Sequence, residues 1–321
     1  MKQPSNVCVF SERHDVAIEL LAAARSLSGV ENVASIVVGL DAESAAREHI
    51  AHGADTAIVV QQSNGADPLE VQLEALRQAL AGHEPGIVLI GATVNGTEIA
   101  SRFAQRQGLG CASECTRLDL RDGRLLIERT CLGRFISRQV VETHPAIVTL
   151  QPRRFEPLPR DDGRRGELES LTIEAPASRT PIIDTRQRQK SSVRIDKADV
   201  VVGIGRGLRS KDDLRMVEEL ARLLGGVVGA SRPLTDDLQW LSADRKVGLS
   251  GVTVKPKLYI ACGISGQIEH NVGMRESGVV VAINNDPAAP IMQQADYCIT
   301  GDLHEVVPAL IDAIREGGVK L

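Results

Sequence analysis

At 321 residues, 43% hydrophobic and 25% charged, the chain is long enough to bury two cores of ordinary size, so two domains are expected. A formal net charge of -5 with no basic stripe argues against nucleic-acid binding. No apolar run approaches the length of a membrane span and no charged-then-apolar leader precedes Val7, which reads as a soluble cytoplasmic protein without a transmembrane segment.

From Val7 the chain alternates strand and helix signals. Val7 to Phe10, Val33 to Val38, Thr56 to Val60 and Ile87 to Ile90 are apolar runs rich in β-formers. Segments of helical spacing separate them, such as Ile18, Leu21, Ala22 and Arg25, and that order predicts a parallel sheet covered by helices. His49 and His52 fall on one such segment and read as solvated residues of an exposed helix. Between Asp119 and Gln151 the runs shorten to Leu125 to Ile127, Val140 to Val141 and Ile147 to Leu150. Asp122-Gly123 is a hairpin turn signal, so antiparallel strands are expected to join the sheet there. The charged, proline-rich stretch from Pro152 to about Arg165 offers nothing to build a core from and reads as an exposed excursion. Leu171 to Ile173 and Ile182 to Ile183 return to the first domain, and the boundary is placed at 196/197. The six cysteines are scattered; Cys111 and Cys115 form a CxxxC without zinc-site spacing or a nearby His, so reduced structural thiols are expected and no metal.

The second domain opens with Val200 to Ile204, followed by glycines 203, 205 and 207 around Arg206. This cluster matches neither a GxGxxG fingerprint nor a Walker motif, and both a phosphate cradle and plain packing remain open for it. Ser210 and Asp213 make a capping pair, Leu214, Val217, Ala221 and Leu224 line one helix face, and Gly225-Gly226 ends the helix. Val227 to Ala230 is tipped by Ser231 and Arg232. Leu258 to Cys262 breaks at Gly263 and Gly266, Val279 to Ile283 ends in Asn284, Asn285 and Asp286, and a last helix opens at Asp302 with Glu305 as its capping partner. Strands that carry their polar tips at their carboxyl ends put them along one edge of a doubly wound sheet, where such sheets bind ligands. A nucleotide-sized pocket follows, with glycines and helix N-termini suited to a diphosphate.

Five strings then carry a resemblance: GRGLRSKDDL from Gly205, GASRP from Gly229, GISGQIEH from Gly263, AINNDPAAPIMQQADY from Ala282 and GDLHEVVPAL from Gly301. Over residues 198 to 316 the chain resembles the α subunit of electron-transfer flavoproteins, and SRP at Ser231 with VGLSG at Val247 is similar to the Fix-type branch associated with acyl-CoA reduction. The resemblance implies an N-terminal α/β domain over 1–196 that pairs with a β subunit, and an FAD-binding domain over 197–321. It also implies electron shuttling to acyl-CoA dehydrogenase-type flavoenzymes, extending to a quinone- or ferredoxin-linked oxidoreductase, so that the chain is an electron carrier with no substrate chemistry of its own. Arg206 and Ser231 would line the cofactor site, and Val247, Gly248, Leu249 and Ser250 would border the flavin ring. Ser265, Gly266, Gln267, Ile268, Glu269 and His270 would wrap ring and diphosphate, while Asn284, Asp302 and Leu303 would hold the ribityl and adenosine end.

Tuning of the flavin would fall to Arg232, Ser250 and His270, because reduction places negative charge on the ring and a fixed cation or donor stabilises it. The plain alternatives are an Arg232 paired with Asp236 or Asp237, a turn Ser250 and a core His270. Leu249 and Ser250 stand where many relatives carry Gln and Thr, and Glu269 where Gln is common. A Glu269 turned to solvent or paired with Arg275 would spare the flavin its charge. Two other classes share the sequence signals: a regulatory module that binds NAD or AMP without redox turnover, and an NAD-dependent dehydrogenase, for which no acid/base residue stands out. The charged stretch Arg194 to Lys197 reads as a hinge between the domains.

Overall fold

The computed structural model describes residues 5–39, 41–62, 68–131, 135–141, 145–173 and 193–317. The chain divides into two compact units, residues 1–185 and 186–321, each with its own sheet. The expected strand at Ile182 to Ile183 lies outside the described residues.

In the first unit the strands β1 (Asn6–Phe10), β2 (Asn32–Val38), β3 (Thr56–Gln62) and β4 (Ile87–Gly91) alternate with helices α1 (His14–Ser26), α2 (Ala42–Ala51), α3 (Pro68–His83) and α4 (Val94–Gln107). Five further strands follow: β5 (Cys111–Arg121), β6 (Arg124–Cys131), β7 (Phe135–Val141), β8 (Ala146–Leu150) and β9 (Glu167–Ile173). The sheet runs β7-β6-β5-β8-β4-β1-β2-β3-β9, parallel except at the β5-β6 and β6-β7 pairs. Asp122 and Gly123 both take positive φ, 50° and 74°, the geometry of a type I′ hairpin turn. Residues of alternate parity in β1 face opposite cores: Val7 and Val9 pack with α1 and α2, Cys8 and Phe10 with α3 and α4. The result is a sheet sandwiched between two helical layers.

Two expectations fail in this unit. His49 is not solvated but only 2% exposed, because it falls on the stripe Ala42, Ala46 and Ile50 that α2 turns toward the sheet. Its Nδ1 lies 2.6 Å from Ser35 Oγ and its Nε2 3.0 Å from His14 Nδ1. Burial, reinforced by His14 and His52, lowers its pKa to about 3, so His49 is neutral. His52 is partly buried and its Nδ1 sits 2.8 Å from the Glu48 carbonyl. The proline-rich stretch after β8 also does more than cross the surface. Phe155 packs against the first core, and the Arg164 guanidinium is shared between the Gly53 carbonyl at 3.2 Å and Asp55 at 3.0 Å. Arg160 adds a bond to Glu48 and the Asp161 N–H one to the Ala51 carbonyl, so a few separate contacts fasten a segment that has no apolar run.

The second unit carries β10 (Val200–Ile204), α5 (Leu214–Leu223), β11 (Val227–Ala230), β12 (Leu258–Cys262), α6 (Ile268–Asn271), β13 (Val279–Asn284), β14 (Tyr297–Thr300) and α7 (Leu303–Gly317). All its strands are parallel, in the order β11-β10-β12-β13-β14. Helices α5 and α7 cover one face, over Val202, Ile204, Ile260 and Cys262; Tyr259, Ala261, Met274 and Ile291 fill the other. The capping box of Ser210 and Asp213 opens a short 3-10 turn that leads into α5, and Gly225 ends the helix at φ 65°. At α7 the Asp302 carboxylate accepts from the His304 backbone and ring, while Glu305 reaches Asp302 through its backbone N–H, so His304 takes the side-chain partnership expected of Glu305. Ile195 is buried in the second unit's core and Arg194 pairs with Asp196, so the turn at 195–197 belongs to that unit and is not a free hinge.

The cysteines are free thiols, and burial raises the pKa of Cys8, Cys115 and Cys262 to about 12. Among the described residues no helix is long and apolar enough to cross a membrane and no His, Cys, Asp or Glu cluster could hold a metal ion.

Candidate functional site

The order β11-β10-β12 makes the carboxyl ends of β10 and β12 the switch point of the second sheet, since the chain leaves β10 toward β11 on one side and returns to β12 on the other. A cavity of about 720 Å³ opens there, within the range of ordinary ligand sites. Every strand of the sheet contributes a loop to it. After β10 come Arg206 and Arg209, after β11 Ser231 and Arg232, and after β12 the run Gly263 to Gln267. Asn284 to Asp286 follow β13, and Gly301 to Leu303 follow β14.

Glycine makes the floor possible. A Cβ on Gly263, at φ 62°, would stand 2.6 Å from the Gly207 Cα, and one on Gly205 would stand 2.8 Å from the Ile264 Cα. Both distances are closer than real side chains approach, so the two loops meet backbone to backbone. Close packing and cavity wall are here the same feature.

The loop 247–250 forms a second wall. Val247 N–H bonds the Ala230 carbonyl and Leu249 N–H bonds the Glu269 carbonyl at 2.6 Å. Gly248 takes φ 136°, and a Cβ there would come 2.6 Å from that same Glu269 oxygen. The loop is therefore pinned to the start of α6, with Leu249 and Ser250 exposed at its tip.

The polar groups fall into three sets. Arg232 is 74% exposed at the mouth; its Nε is 3.7 Å from Asp236, whose carboxylate is held more closely by Lys246 Nζ at 2.9 Å. The plain pairing with Asp236 is thus a loose one. Asn284 is buried, its amide donating to the Ile264 carbonyl at 2.8 Å and its oxygen accepting from Asp286 N–H at 3.0 Å. At the far end Arg209 meets Asp302 at 2.5 Å, and His304 bridges Asp302 and Asp213. Bonding to those two carboxylates raises the His304 pKa, and Asp213 is lowered to about 2, first by the Ser210 backbone and then by His304.

His270 lies in the wall with 7% exposure. Its Nε2 is 2.9 Å from the Tyr259 hydroxyl, and its Nδ1 is buried without a hydrogen bond. Burial lowers its pKa to about 4, and the neighbouring Val247 backbone, which favours the protonated ring, opposes this. Near neutral pH the ring is uncharged.

The sequence-predicted residues therefore meet at one cavity, with one exception. Ile268 sits in the same turn but is 48% exposed and is not part of the lining. Glu269 is exposed at the cavity rim. Arg209 and Tyr259 are the residues that sequence reasoning passed over: Arg209 stood inside a string already singled out, whereas Tyr259 reads as one more apolar residue of a buried strand.

Residues 8–176 match the model of the electron transfer flavoprotein domain, and residues 194–275 match that of the electron transfer flavoprotein FAD-binding domain. The chain belongs to the electron transfer flavoprotein alpha-subunit family. It is 37% identical to the electron transfer flavoprotein subunit alpha of Thermoanaerobacterium thermosaccharolyticum, covering 98% of this chain and 99% of that one. It is 36% identical to the subunit alpha of Clostridium acetobutylicum, covering 96% of each chain. Protein FixB of Salmonella paratyphi A is 33% identical over 98% of this chain and 99% of its own.

FAD is the cofactor of this family's second domain, and the residues present fit it. Backbone N–H groups and side-chain-free glycines line the floor, arginines supply cations, and Asp302 offers a carboxylate for ribose hydroxyls.

Proposed function

We propose that the chain is the alpha subunit of a heterodimeric electron carrier, that it holds one FAD in the cavity at the β10/β12 switch point, and that it passes electrons between a β subunit and acyl-CoA dehydrogenase-type flavoenzymes, with a quinone- or ferredoxin-linked oxidoreductase as a further exchange partner. The observation that carries the reading is the convergence of loops from all five strands on a single cavity with arginines at both ends.

On this reading Arg206 and Ser231 line the cofactor, Val247 to Ser250 border the ring, Ser265 to His270 wrap ring and diphosphate, and Asn284, Asp302 and Leu303 hold the ribityl and adenosine end. Bound flavin supplies reversible storage of electrons. The chain's own residues set how favourable that storage is. Arg232 supplies a guanidinium cation that is only loosely paired with Asp236 and is free enough to lean toward the cavity. His270, neutral near pH 7, acts through its dipole and not as a second cation. Ser250 carries a hydroxyl at the loop tip, held in place by the Leu249 to Glu269 bond.

The test is co-expression with the β subunit, purification of the heterodimer and measurement of its visible spectrum and flavin content. One FAD per heterodimer, lost when Gly263 is replaced by Ala, supports the reading. A correctly assembled but colourless heterodimer, or one that retains NAD or AMP in this cavity instead, overturns it.

A further inference from the structure

Directly behind the cavity wall lies a buried pair that the flavin reading alone does not explain. Tyr259 is the second residue of β12, inaccessible to solvent, with its hydroxyl 2.9 Å from His270 Nε2. The two rings are tilted by 59° with centroids 6.2 Å apart, which is an edge contact through the hydroxyl and not a stack. Room for the hydroxyl exists because residue 203 is glycine: a Cβ there would collide with it and stand 2.5 Å from the ring carbon that bears it.

The protons of this pair can be counted. The ring carries one, because burial lowers the His270 pKa to about 4. Burial also pushes the Tyr259 hydroxyl up, so it remains a phenol with a proton to give. If Nε2 held the imidazole proton and donated it, the phenol proton would have no acceptor, since His270 is the hydroxyl's one hydrogen-bond partner among the described residues. Two buried groups would then be unsatisfied, the phenol proton and the Nδ1 lone pair. If the phenol donates, the hydroxyl and the Nε2 lone pair are both used, and a single buried group, the Nδ1 proton, is left without a hydrogen bond in place of two. The remaining proton then sits on Nδ1, on the side where the Val247 backbone favours it.

We propose that Tyr259 is a positioning residue of this site: its hydroxyl donates to His270 Nε2, confines the ring's single proton to Nδ1 and so fixes the tautomer and orientation of the imidazole in the cavity wall. The tautomer is a property of the chain itself. Its effect on a bound flavin rests on the reading given above: a fixed, neutral imidazole keeps its dipole constant, so the midpoint potential draws no pH dependence from His270 in the neutral range.

The experiment uses the full chain labelled with 15N-histidine, assembled with its β subunit, with FAD removed and then restored. Two-bond 1H-15N spectra report the tautomer of each ring, and His270→Gln identifies the signal among the seven histidines. The expected result is an unprotonated Nε2 and a protonated Nδ1, unchanged between about pH 8 and about pH 5. In Tyr259→Phe the Nε2 signal moves toward the protonated position, and with FAD restored the midpoint potential gains a pH dependence beyond the one the flavin's own protonation gives the parent. A parent spectrum with protonated Nε2, or a Tyr259→Phe spectrum identical to the parent, overturns the proposal. If Tyr259→Phe fails to fold, 3-fluorotyrosine incorporated into Tyr297→Phe replaces Tyr259 without loss of the hydroxyl. The stronger donor then shifts Nε2, and no shift overturns the proposal. A parent heterodimer that binds no FAD would sink the flavin reading and leave the tautomer result standing.

Discussion

Gly203 and Tyr259 are cross-strand neighbours that exclude each other's alternatives: the phenol fills the space that any side chain at 203 would need. Gly203→Ala is therefore expected to destabilise the second unit by about 1–3 kcal/mol, the usual cost of overpacking a filled core. Urea unfolding of the parent and the variant measures this. An unchanged midpoint would mean that Tyr259 can move aside without loss.

The contact of Gly263 with Gly207 predicts a different kind of damage. Alanine at 263 meets both a φ of 62° and a backbone atom 2.6 Å from its Cβ, so the two loops must part. FAD retention should fall by at least about tenfold, a loss of roughly 1.4 kcal/mol in binding. Equilibrium dialysis checks it, with Gly29→Ala as a control: Gly29 has positive φ but open space around it, so that variant keeps its FAD.

Acidification should weaken both units through their buried neutral histidines. The folded-state pKa values of His49 and His270 lie at about 3 and about 4, below the ordinary 6.5 that each regains on unfolding. Below pH 6.5 the unfolded chain takes up protons that the folded chain refuses. The stability present above pH 6.5 is then lost as the pH falls toward 4, by up to about 3 kcal/mol from His270 and somewhat more from His49. His49→Gln and His270→Gln should each flatten the dependence of the denaturation midpoint on pH over that window. Parallel curves for parent and variants would rule this out.

Arg232 is expected to separate potential from stability. Its guanidinium is largely solvated and only loosely paired, so Arg232→Ala should change folding stability by no more than about 0.5 kcal/mol. Removing a fixed cation from the mouth should nonetheless make the bound flavin harder to reduce, and Arg232→Lys should restore part of the effect. Spectroelectrochemical titration of the three proteins gives the order of potentials. An Ala variant with the parent's potential would remove Arg232 from the tuning set.

Periodicity and turn chemistry carried most of the architecture. Alternating apolar runs, Asp122-Gly123 and the Ser210/Asp213 cap each specify local geometry through short-range sterics, and each appears as read. The polar tips of β10 to β13 were legible for the same reason: a buried parallel strand allows polar residues only where it ends. What escaped depends on tertiary neighbours. His49 reads as solvated on a helix judged exposed, although Ala42, Ala46 and Ile50 share its face and turn it inward. Phe155 and Arg164 give no periodic signal, since scattered single side chains, with Arg160 among them, anchor their segment. Tyr259 was invisible as a functional residue because its partner, His270, lies eleven positions on, across a loop whose path is set by glycines.

The backbone-to-backbone floor of the cavity divides the site into a part that can be retuned and a part that cannot. Gly205, Gly207 and Gly263 offer no side chain to vary and tolerate none, so mutational drift or laboratory evolution at those positions leads to collapse before it leads to a new redox range. Variation is left to the exposed rim, at Arg232, Leu249, Ser250 and Glu269, where substitutions change charge and polarity against an invariant foundation. A library confined to those four positions is where carriers of altered driving force should be sought.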